Sequence, residues 1–194
     1  MDVLEAIHGR RTVKAFRAEP PPRALIEQVL EAAVWAPNHR LTEPWEFIVV
    51  QGEALTRLAA LRAEMTAAYL RGGATPPPAE QVARQAEEAR GKALAAPVTI
   101  AVAMAQHTDP AIREEDYAAT ASAIQNLLLA AYGLGLGAFW STNNLIAYLP
   151  AYALLGVAPE RRIIGLVQLG YPAQERQQRR TPAAARTRWL GEPA

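Results

Sequence analysis

The chain has 194 residues, of which 51% are hydrophobic and 20% charged, a composition that predicts one globular α/β or α+β domain and excludes a wholly disordered chain. The net charge of +1 provides no general attraction for nucleic acid or for an anionic membrane, so any basic binding site must be local. The absence of cysteine excludes disulfides, thiolate catalysis and cysteine-ligated metal centres.

Two further observations concern where the chain acts. No apolar run reaches the roughly 20 residues that a bilayer span requires. Residues 1–9 lack the charged-then-apolar layout of a secretory signal. We therefore expect a cytoplasmic protein with a single domain over residues 1–194 and with neither a membrane nor a nucleic-acid partner.

A basic run follows a short apolar helix that ends near Gly9. It places three cations and a hydroxyl within five positions: Arg10, Arg11, Thr12 and Lys14. A guanidinium binds phosphate through two parallel hydrogen bonds, and lysine acts as a movable point charge. The run therefore suits a phosphate group, although a solvated basic loop would have the same composition.

Hydrophobic periodicity and turn residues predict the next elements up to residue 105. The triple proline at 20–22 starts a helix, and Pro37 follows its end. Glycines at 72–73 and prolines at 76–78 indicate a mobile loop around 71–79. The predicted elements are a helix over 23–35, a strand over 45–51, helices over 53–70 and 80–94, and a strand over 97–105.

The second half of the chain contains the longest predicted helix, over 117–134. We interpret residues 114–116, which are all acidic, as its solvated start, where acids suit the helix dipole. Glycines between 133 and 137 end this helix. The remaining predictions are a strand over 138–142, a helix over 145–155, a strand over 162–170 and an extended C-terminal arm around 171–194.

One segment of the long helix predicts a subunit interface. Residues 123–131 are apolar almost all round. Such a helix is buried on all sides, and a chain of this length has little room for one. A second subunit would supply the other wall, so the sequence predicts a tight homodimer.

The sequence gives little support for a metal site, a serine-hydrolase site or a dinucleotide-binding loop. The three histidines have no i, i+4 spacing, and no HExxH or paired-acid loop occurs. Neither Ser122 nor Ser141 lies in a G-x-S-x-G motif. The glycine turn at 133–137 follows a helix and precedes a strand, the reverse of a dinucleotide-binding loop. We therefore expect no metal site.

Four separated segments together suit one ligand, flavin mononucleotide (FMN), which has a phosphate, a pyrimidine edge and a flat ring. They also resemble the FMN-dependent nitroreductase family, and its small, compact members most of all. The matching motifs are R-[RH]-[ST]-x-[KR]-x-[FY] at 10–16, A-P-x-x-x-x-x-x-P-W at 36–45, G-L-G after the long helix, and G-Y-P at 170–172 followed by arginines.

The resemblance implies an α+β fold with a central, mostly antiparallel sheet flanked by helices. It also implies an intertwined homodimer with FMN at the subunit interface. Arg10, Arg11 and Thr12 would hold the phosphate and ribityl chain. Lys14 would approach the pyrimidine edge, where a cation stabilises the anionic reduced flavin.

The resemblance assigns the remaining contacts to three other segments. Pro37, Asn38 and His39 of the second chain would lie against the ring, and Trp35 would face either the core or the cofactor rim. The residues implied on the inner side of the ring and at the phosphate are Trp140, Ser141 and Thr142, with Arg179 or Arg180. Two positions depart from the family pattern: Leu41 cannot donate a hydrogen bond, and Glu43 near the ring would disfavour its reduced anion.

The implied activity is that of an oxidoreductase. Hydride from NADH or NADPH would pass to flavin N5 and then, by a ping-pong mechanism, to a nitroaromatic, quinone or similar flat acceptor. No catalytic side chain is required, because the cofactor carries the chemistry. The alternatives are a non-catalytic flavin-binding sensor or storage module, an azoline dehydrogenase or flavin-degrading enzyme, and a helical dimer whose arginine-rich segments bind a protein or nucleic acid.

Overall fold

The computed structural model describes residues 2–174 and 178–191, which form a four-stranded sheet and six α-helices. The strands are β1 (Trp45–Gln51), β2 (Val98–Ala105), β3 (Gly137–Ser141) and β4 (Arg161–Gly170). The helices are α1 (Val3–Gly9), α2 (Arg23–Val34), α3 (Gly52–Arg71), α4 (Ala79–Ala93), α5 (Pro110–Gly133) and α6 (Leu149–Leu155). Short 3-10 turns lie at His39–Leu41, Asn144–Ala147 and Ala183–Arg186. None of the described helices is long and apolar enough to cross a membrane.

The sheet has the strand order β1-β2-β4-β3, and every neighbouring pair is antiparallel. Side chains of β2 alternate between two cores, because successive residues of a strand point to opposite faces. Ile100, Val102 and Met104 pack with α2 and α5. Ala101 and Ala103 pack on the other face with α3 and α6. The predicted α+β class, with an antiparallel sheet flanked by helices, is confirmed.

Helix α5 corrects two predictions. It begins at Pro110, where the Asp109 side chain accepts from the Ala111 backbone N–H at 2.8 Å and the proline occupies the first turn. Residues 114–116 therefore lie inside the helix and are not its solvated start. The structure also buries Ile124, Leu127 and Leu128 of the segment 123–131 within the same chain and not against a second wall, while the homodimer itself stays a prediction.

The predicted helix over 145–155 is interrupted at Tyr148. This residue has extended backbone angles, φ −90° and ψ 109°, and separates the turn Asn144–Ala147 from α6. Pro150 explains the break, because a proline lacks the N–H of a continuing helix and its ring clashes with the carbonyl four residues earlier. The same proline suits the first turn of a new helix.

The basic run lies along the free edge of β3. The Val13 backbone N–H donates to the Ala138 carbonyl at 3.1 Å, and Thr12 and Ala138 form a parallel bridge. Gly137 allows this approach, since a Cβ at that position would lie 2.8 Å from a methyl of Val13. Further along, the Arg17 N–H donates to the Tyr171 carbonyl at 2.9 Å. The N-terminal segment thereby joins β3 to the start of the C-terminal arm.

The connection between α3 and α4 runs over residues 72–78, within the predicted loop. Its mobility stays a prediction. The predicted arm first pairs with its own chain through Phe16 and Pro172. Residues 178–191 are then exposed throughout, and residues 175–177 and 192–194 of the arm lie outside the described residues.

Candidate active site

Three arginines from the two ends of the sequence form a basic cluster: Arg10, Arg11 and Arg180. Burial, and then the nearby charges of Arg180 and Arg11, hold the pKa of the Arg10 guanidinium below its ordinary value. Within residues 2–174 and 178–191, none of the three forms an ion pair. Like charges held together without a carboxylate repel one another, so the cluster favours an anionic ligand.

Arg10 and Arg11 line a cleft of about 300 Å³ between the end of α5 and the start of β3. The Arg11 guanidinium donates through Nη1 to the carbonyl oxygens of His8 and Arg10, which fixes it at the C-terminal end of α1. Its Nε is buried and has no hydrogen-bond partner in the described part of the chain. A buried donor without an acceptor is costly, and an anionic oxygen would satisfy it.

Next to the basic run, β3 presents two aromatic side chains to opposite faces. The Lys14 ammonium lies 5.0 Å from the centroid of the Phe139 ring, within range of a cation–π contact. The Trp140 indole covers Gly165 of β4, where even a Cβ would overlap the indole nitrogen. That Nε1 is buried and lacks an acceptor in the described residues. Trp140 is therefore fixed by close packing against bare backbone and not by a hydrogen bond.

The residues that follow β3 are more polar. Ser141 accepts a hydrogen bond from the Asn143 side-chain amide at 2.9 Å, and Asn143 accepts from the Leu145 N–H at 2.9 Å. Thr142 is exposed between them. The structure thus brings three predicted groups together along one edge: the basic run, the segment 140–142 and the arm. Of the two arm arginines, Arg180 is the one beside Arg10.

The loop between α2 and β1 is held by a polar network on α5. His39 Nδ1 lies 3.0 Å and Arg40 Nε 3.2 Å from the same carboxylate oxygen of Glu115. The Thr42 hydroxyl donates to the buried carboxylate of Asp116. Asn38 accepts from the Glu43 backbone N–H at 2.7 Å. The network stabilises positive φ angles at three non-glycine residues: Arg40, Leu41 and Glu43.

Several predicted contact residues of this region are open to solvent in the single chain. Trp35 is 79% exposed and Leu41 is 82% exposed. Pro37, His39 and Glu43 are also exposed, and Asn38 is partly buried. Large apolar side chains that are this exposed suit contact with a ring or a second chain.

The two regions lie at opposite ends of α5. The loop over 36–44 is attached at Asp116, whereas the cleft of the basic cluster is lined by Leu128 and Tyr132. Sixteen residues of helix separate Asp116 from Tyr132, which corresponds to about 24 Å along its axis. A single chain therefore does not bring Pro37, Asn38 and His39 to the arginines.

A match to the model of a known protein family identifies the family of this chain. The family model described as the nitroreductase family matches residues 7–171. The chain belongs to the nitroreductase family. This confirms the predicted family, and with it the prediction of an oxidoreductase.

Relatives of this chain include a Bacillus subtilis (strain 168) protein named "Putative NAD(P)H nitroreductase YfhC". The two are 33% identical over 92% of this chain and 89% of the relative. A nitroreductase-like family protein from Bacillus cereus has a crystal structure with a TM-score of 0.81, 26% identity, and coverage of 99% and 97% of the two chains. The FMN- and NADPH-dependent nitroreductase NfnB from Sphigopyxis sp. strain HMH shares the fold, with a TM-score of 0.77, 20% identity, and coverage of 99% and 100%.

The sequence does not predict several features of this candidate site. Asp116 and Glu115 hold the loop over 36–44, although they were interpreted as a solvated helix start. The pairing of Trp140 with Gly165 was missed, because neither position carries a motif. A partial signal existed for the first feature, since Asp109 followed by Pro110 is a typical helix start and moves the acids into the helix.

Proposed function

We propose that the chain is an FMN-dependent oxidoreductase. It takes hydride from NADH or NADPH and reduces a nitroaromatic, quinone or similar flat electrophile in two alternating half-reactions. The basic cluster carries the proposal, because Arg10, Arg11 and Arg180 converge without a carboxylate among the described residues and leave a buried N–H donor unsatisfied. This donor set fits a phosphate group.

FMN, when bound, supplies the acceptance of hydride and the transfer of electrons to the second substrate. The chain's own residues bind it and orient it. The guanidiniums hold the phosphate, Lys14 provides positive charge beside β3, and Thr12 contributes a hydroxyl. Trp140, with its indole fixed over Gly165, and Ser141 present a rigid edge to the ring. No side-chain nucleophile or general acid is assigned.

The proposed site needs two chains. The loop that carries Pro37, Asn38 and His39 is attached at Asp116, which lies about 24 Å along α5 from Tyr132 at the cleft of the basic cluster, by the helical rise. A two-fold axis across the middle of α5 makes the two copies of this helix antiparallel. The loop over 36–44 of each copy then lies at the basic cluster of the other.

The outward stripe of α5 suits such an approach. It consists mainly of small or neutral side chains: Ala118, Ser122, Gln125 and Leu129, which are exposed or partly buried. Large apolar side chains elsewhere are also open, among them Trp189 at 73% and Leu190 at 82% exposure on the arm. A second chain that covers them would explain why residues 178–191 are exposed throughout in the single chain.

An absorption spectrum with anaerobic reduction tests the proposal. We expect the purified protein, supplied with FMN, to be yellow, to carry one FMN per chain and to have the mass of a dimer. NADH or NADPH should bleach it, and a nitroaromatic or quinone should restore the colour. A yellow protein that is not bleached would be a binding module. A colourless protein with no affinity for FMN contradicts the proposal.

A further inference from the structure

A second cationic region lies on the other face of the sheet. A cavity of about 740 Å³ separates the α3–α4 hairpin from the turn Asn144–Ala147. Three cations line it, Arg62, Arg84 and Lys92, together with one carboxylate, Glu88. The volume is within the range of about 300–1,000 Å³ that is typical of small-molecule sites.

Arg62 is the central residue of this cavity. It is partly buried, and burial holds the pKa of its guanidinium below the ordinary value. In the described part of the chain it forms no ion pair. A cation removed from water without a counter-charge is unfavourable, and an anion placed beside it would offset that cost.

The position of Arg62 connects the cavity to the proposed ring site. Arg62 also lines a void of about 20 Å³ whose other walls include Ser141 and Asn143. Asn143 lines the wide cavity as well, and its amide donates to Ser141. Arg62 and Ser141 at the end of β3 thus border the same small void, and Asn143 borders both the void and the wide cavity.

The rest of the cavity wall is suited to an aromatic molecule. Tyr69 of α3 and Tyr148 contribute two rings, and Met65 contributes a thioether. Aromatic side chains pack well against planar ligands and keep a polar tip in water. The floor is fixed, because Gln168 of β4 donates to the carbonyl oxygens of Lys92 and Ala93 at 2.8 and 3.1 Å.

We propose that this cavity binds the anionic group of a substrate, with Arg62 as the specificity-determining cation. The group is a carboxylate or a phosphate ester on a molecule whose reactive part reaches past Ser141. This inference rests on the proposed function for what happens at the ring, but anion binding itself does not require turnover. The anion can come from an aromatic acid as acceptor or from the phosphates of the nicotinamide dinucleotide.

The test compares Arg62→Gln with the wild type on two acceptors of equal shape, 4-nitrobenzoate and 4-nitrobenzamide. We expect kcat/KM for 4-nitrobenzoate to fall about tenfold or more, as for the loss of one charge-assisted hydrogen bond, and that for 4-nitrobenzamide to stay within about twofold. Arg62→Lys should recover part of the loss. Arg57→Gln, at an exposed position of the same helix, is the matched control and should change neither value.

Equal losses on both acceptors, or no loss on either, would overturn the proposal unless the dinucleotide is affected instead. A raised KM for NADPH and NADH, with unchanged nitrobenzoate kinetics, identifies dinucleotide phosphate as the anion. Calorimetric titration with benzoate provides a readout without turnover, and Arg62→Gln should weaken that binding about tenfold. If the wild type neither binds FMN nor oxidises NAD(P)H, the proposed function fails, while the benzoate titration still decides the role of Arg62.

Discussion

The two ends of α5 differ in how their charges are used. At the C-terminal end, Arg10, Arg11 and Arg180 converge without a counter-charge in the described residues. At the N-terminal end, the cationic and polar groups of the loop are paired with the helix, through Glu115 and Asp116. The first arrangement lacks an anion, whereas the second is complete. The comparison supports our proposal that one end binds an anion, whereas the other holds a loop in shape.

This difference also explains why exposure alone is a poor guide to function. His39 is exposed, yet its ring already contacts the carboxylate of Glu115. Arg11 is partly buried, yet its Nε has no partner among the described residues. A polar group with an unmet hydrogen bond indicates a ligand more directly than a polar group that is merely accessible.

The largest expected effect comes from preventing dimerisation, which in our proposal brings the N-terminal end of α5 in one copy to the C-terminal end of α5 in the other. The midpoint between Asp116 and Tyr132 is Ile124, and the nearest outward side chain is Gln125. Gln125→Glu would place two like charges face to face near the proposed two-fold axis, at a cost of about 4 kcal/mol if they lie about 4 Å apart at a protein surface. We expect loss of the dimer and of FMN together, measured by light scattering and flavin absorbance.

Two other variants separate that effect from a general loss of structure. Gln81→Glu makes the same chemical change at an exposed position of α4 and should leave mass and colour unchanged. Leu128→Asp places a charge in the core of its own chain and should unfold it, as seen by circular dichroism. A Gln125→Glu monomer that keeps its FMN would show that each site is complete within one chain.

The next largest effect concerns the C-terminal end of α5, where the arginines lack a counter-charge in the described residues. Arg10→Ala should weaken FMN binding by about 1.5–3 kcal/mol, as for a lost charge-assisted hydrogen bond. The same variant should not lower the melting temperature of the FMN-free protein, since it relieves the repulsion among three guanidiniums. Arg17→Ala, at an exposed position of the same segment, is the control. Unchanged FMN affinity in Arg10→Ala would remove Arg10 from the phosphate site.

A smaller effect, on stability, is expected at the N-terminal end of α5, where the loop over 36–44 is hydrogen-bonded to the helix. Thr42→Val removes the hydroxyl that donates to the buried Asp116 carboxylate, and the loss of a donor to a buried group costs about 1–3 kcal/mol. Because Thr42 itself is exposed and water can approach, we expect the lower limit, about 1 kcal/mol, in chemical denaturation. Thr56→Val, at an exposed helical threonine that bonds only the Gly52 carbonyl, should have a smaller effect. Equal effects of the two substitutions would mean that Asp116 does not depend on Thr42.

Local signals in the sequence were enough to predict β1 and the site motifs. Strand β1 occupies the predicted residues 45–51, because its aromatic and β-branched residues lie between Pro44 and Gly52. The basic run was recognised by composition alone. Each of these signals lies within one short segment, so no knowledge of the fold was needed.

The rest depended on contacts between distant parts of the chain. Arg180 belongs to the arm, which pairs at Pro172 with Phe16 of the segment after the basic run, and its charge acts on Arg10. Leu128 belongs to a run that is apolar almost all round, so hydrophobic periodicity does not indicate which way its side chain points. Its packing on the sheet determines that it faces the core of its own chain. The Trp140 indole covers Gly165, two residues along β4 from its register partner Val167, a contact that neither residue indicates alone.

The smallest expected effect is a pH dependence of stability that comes from Glu115 at the N-terminal end of α5. Partial burial alone would raise the pKa of the Glu115 carboxyl, but hydrogen bonds from Arg40 and His39 outweigh it and hold that pKa below its ordinary value of 4.5. A depressed folded pKa means that Glu115 contributes stability above about pH 4.5, and that this contribution is lost as the pH falls through the folded pKa. The melting temperature of the wild type should therefore exceed that of Glu115→Gln at pH 7, and the gap should narrow as the pH is lowered through the folded pKa. Glu114→Gln, at the exposed neighbouring position, should open no such gap. A gap that did not narrow at any pH below 4.5 at which the protein stays folded would mean that Glu115 holds the loop by shape and not by charge.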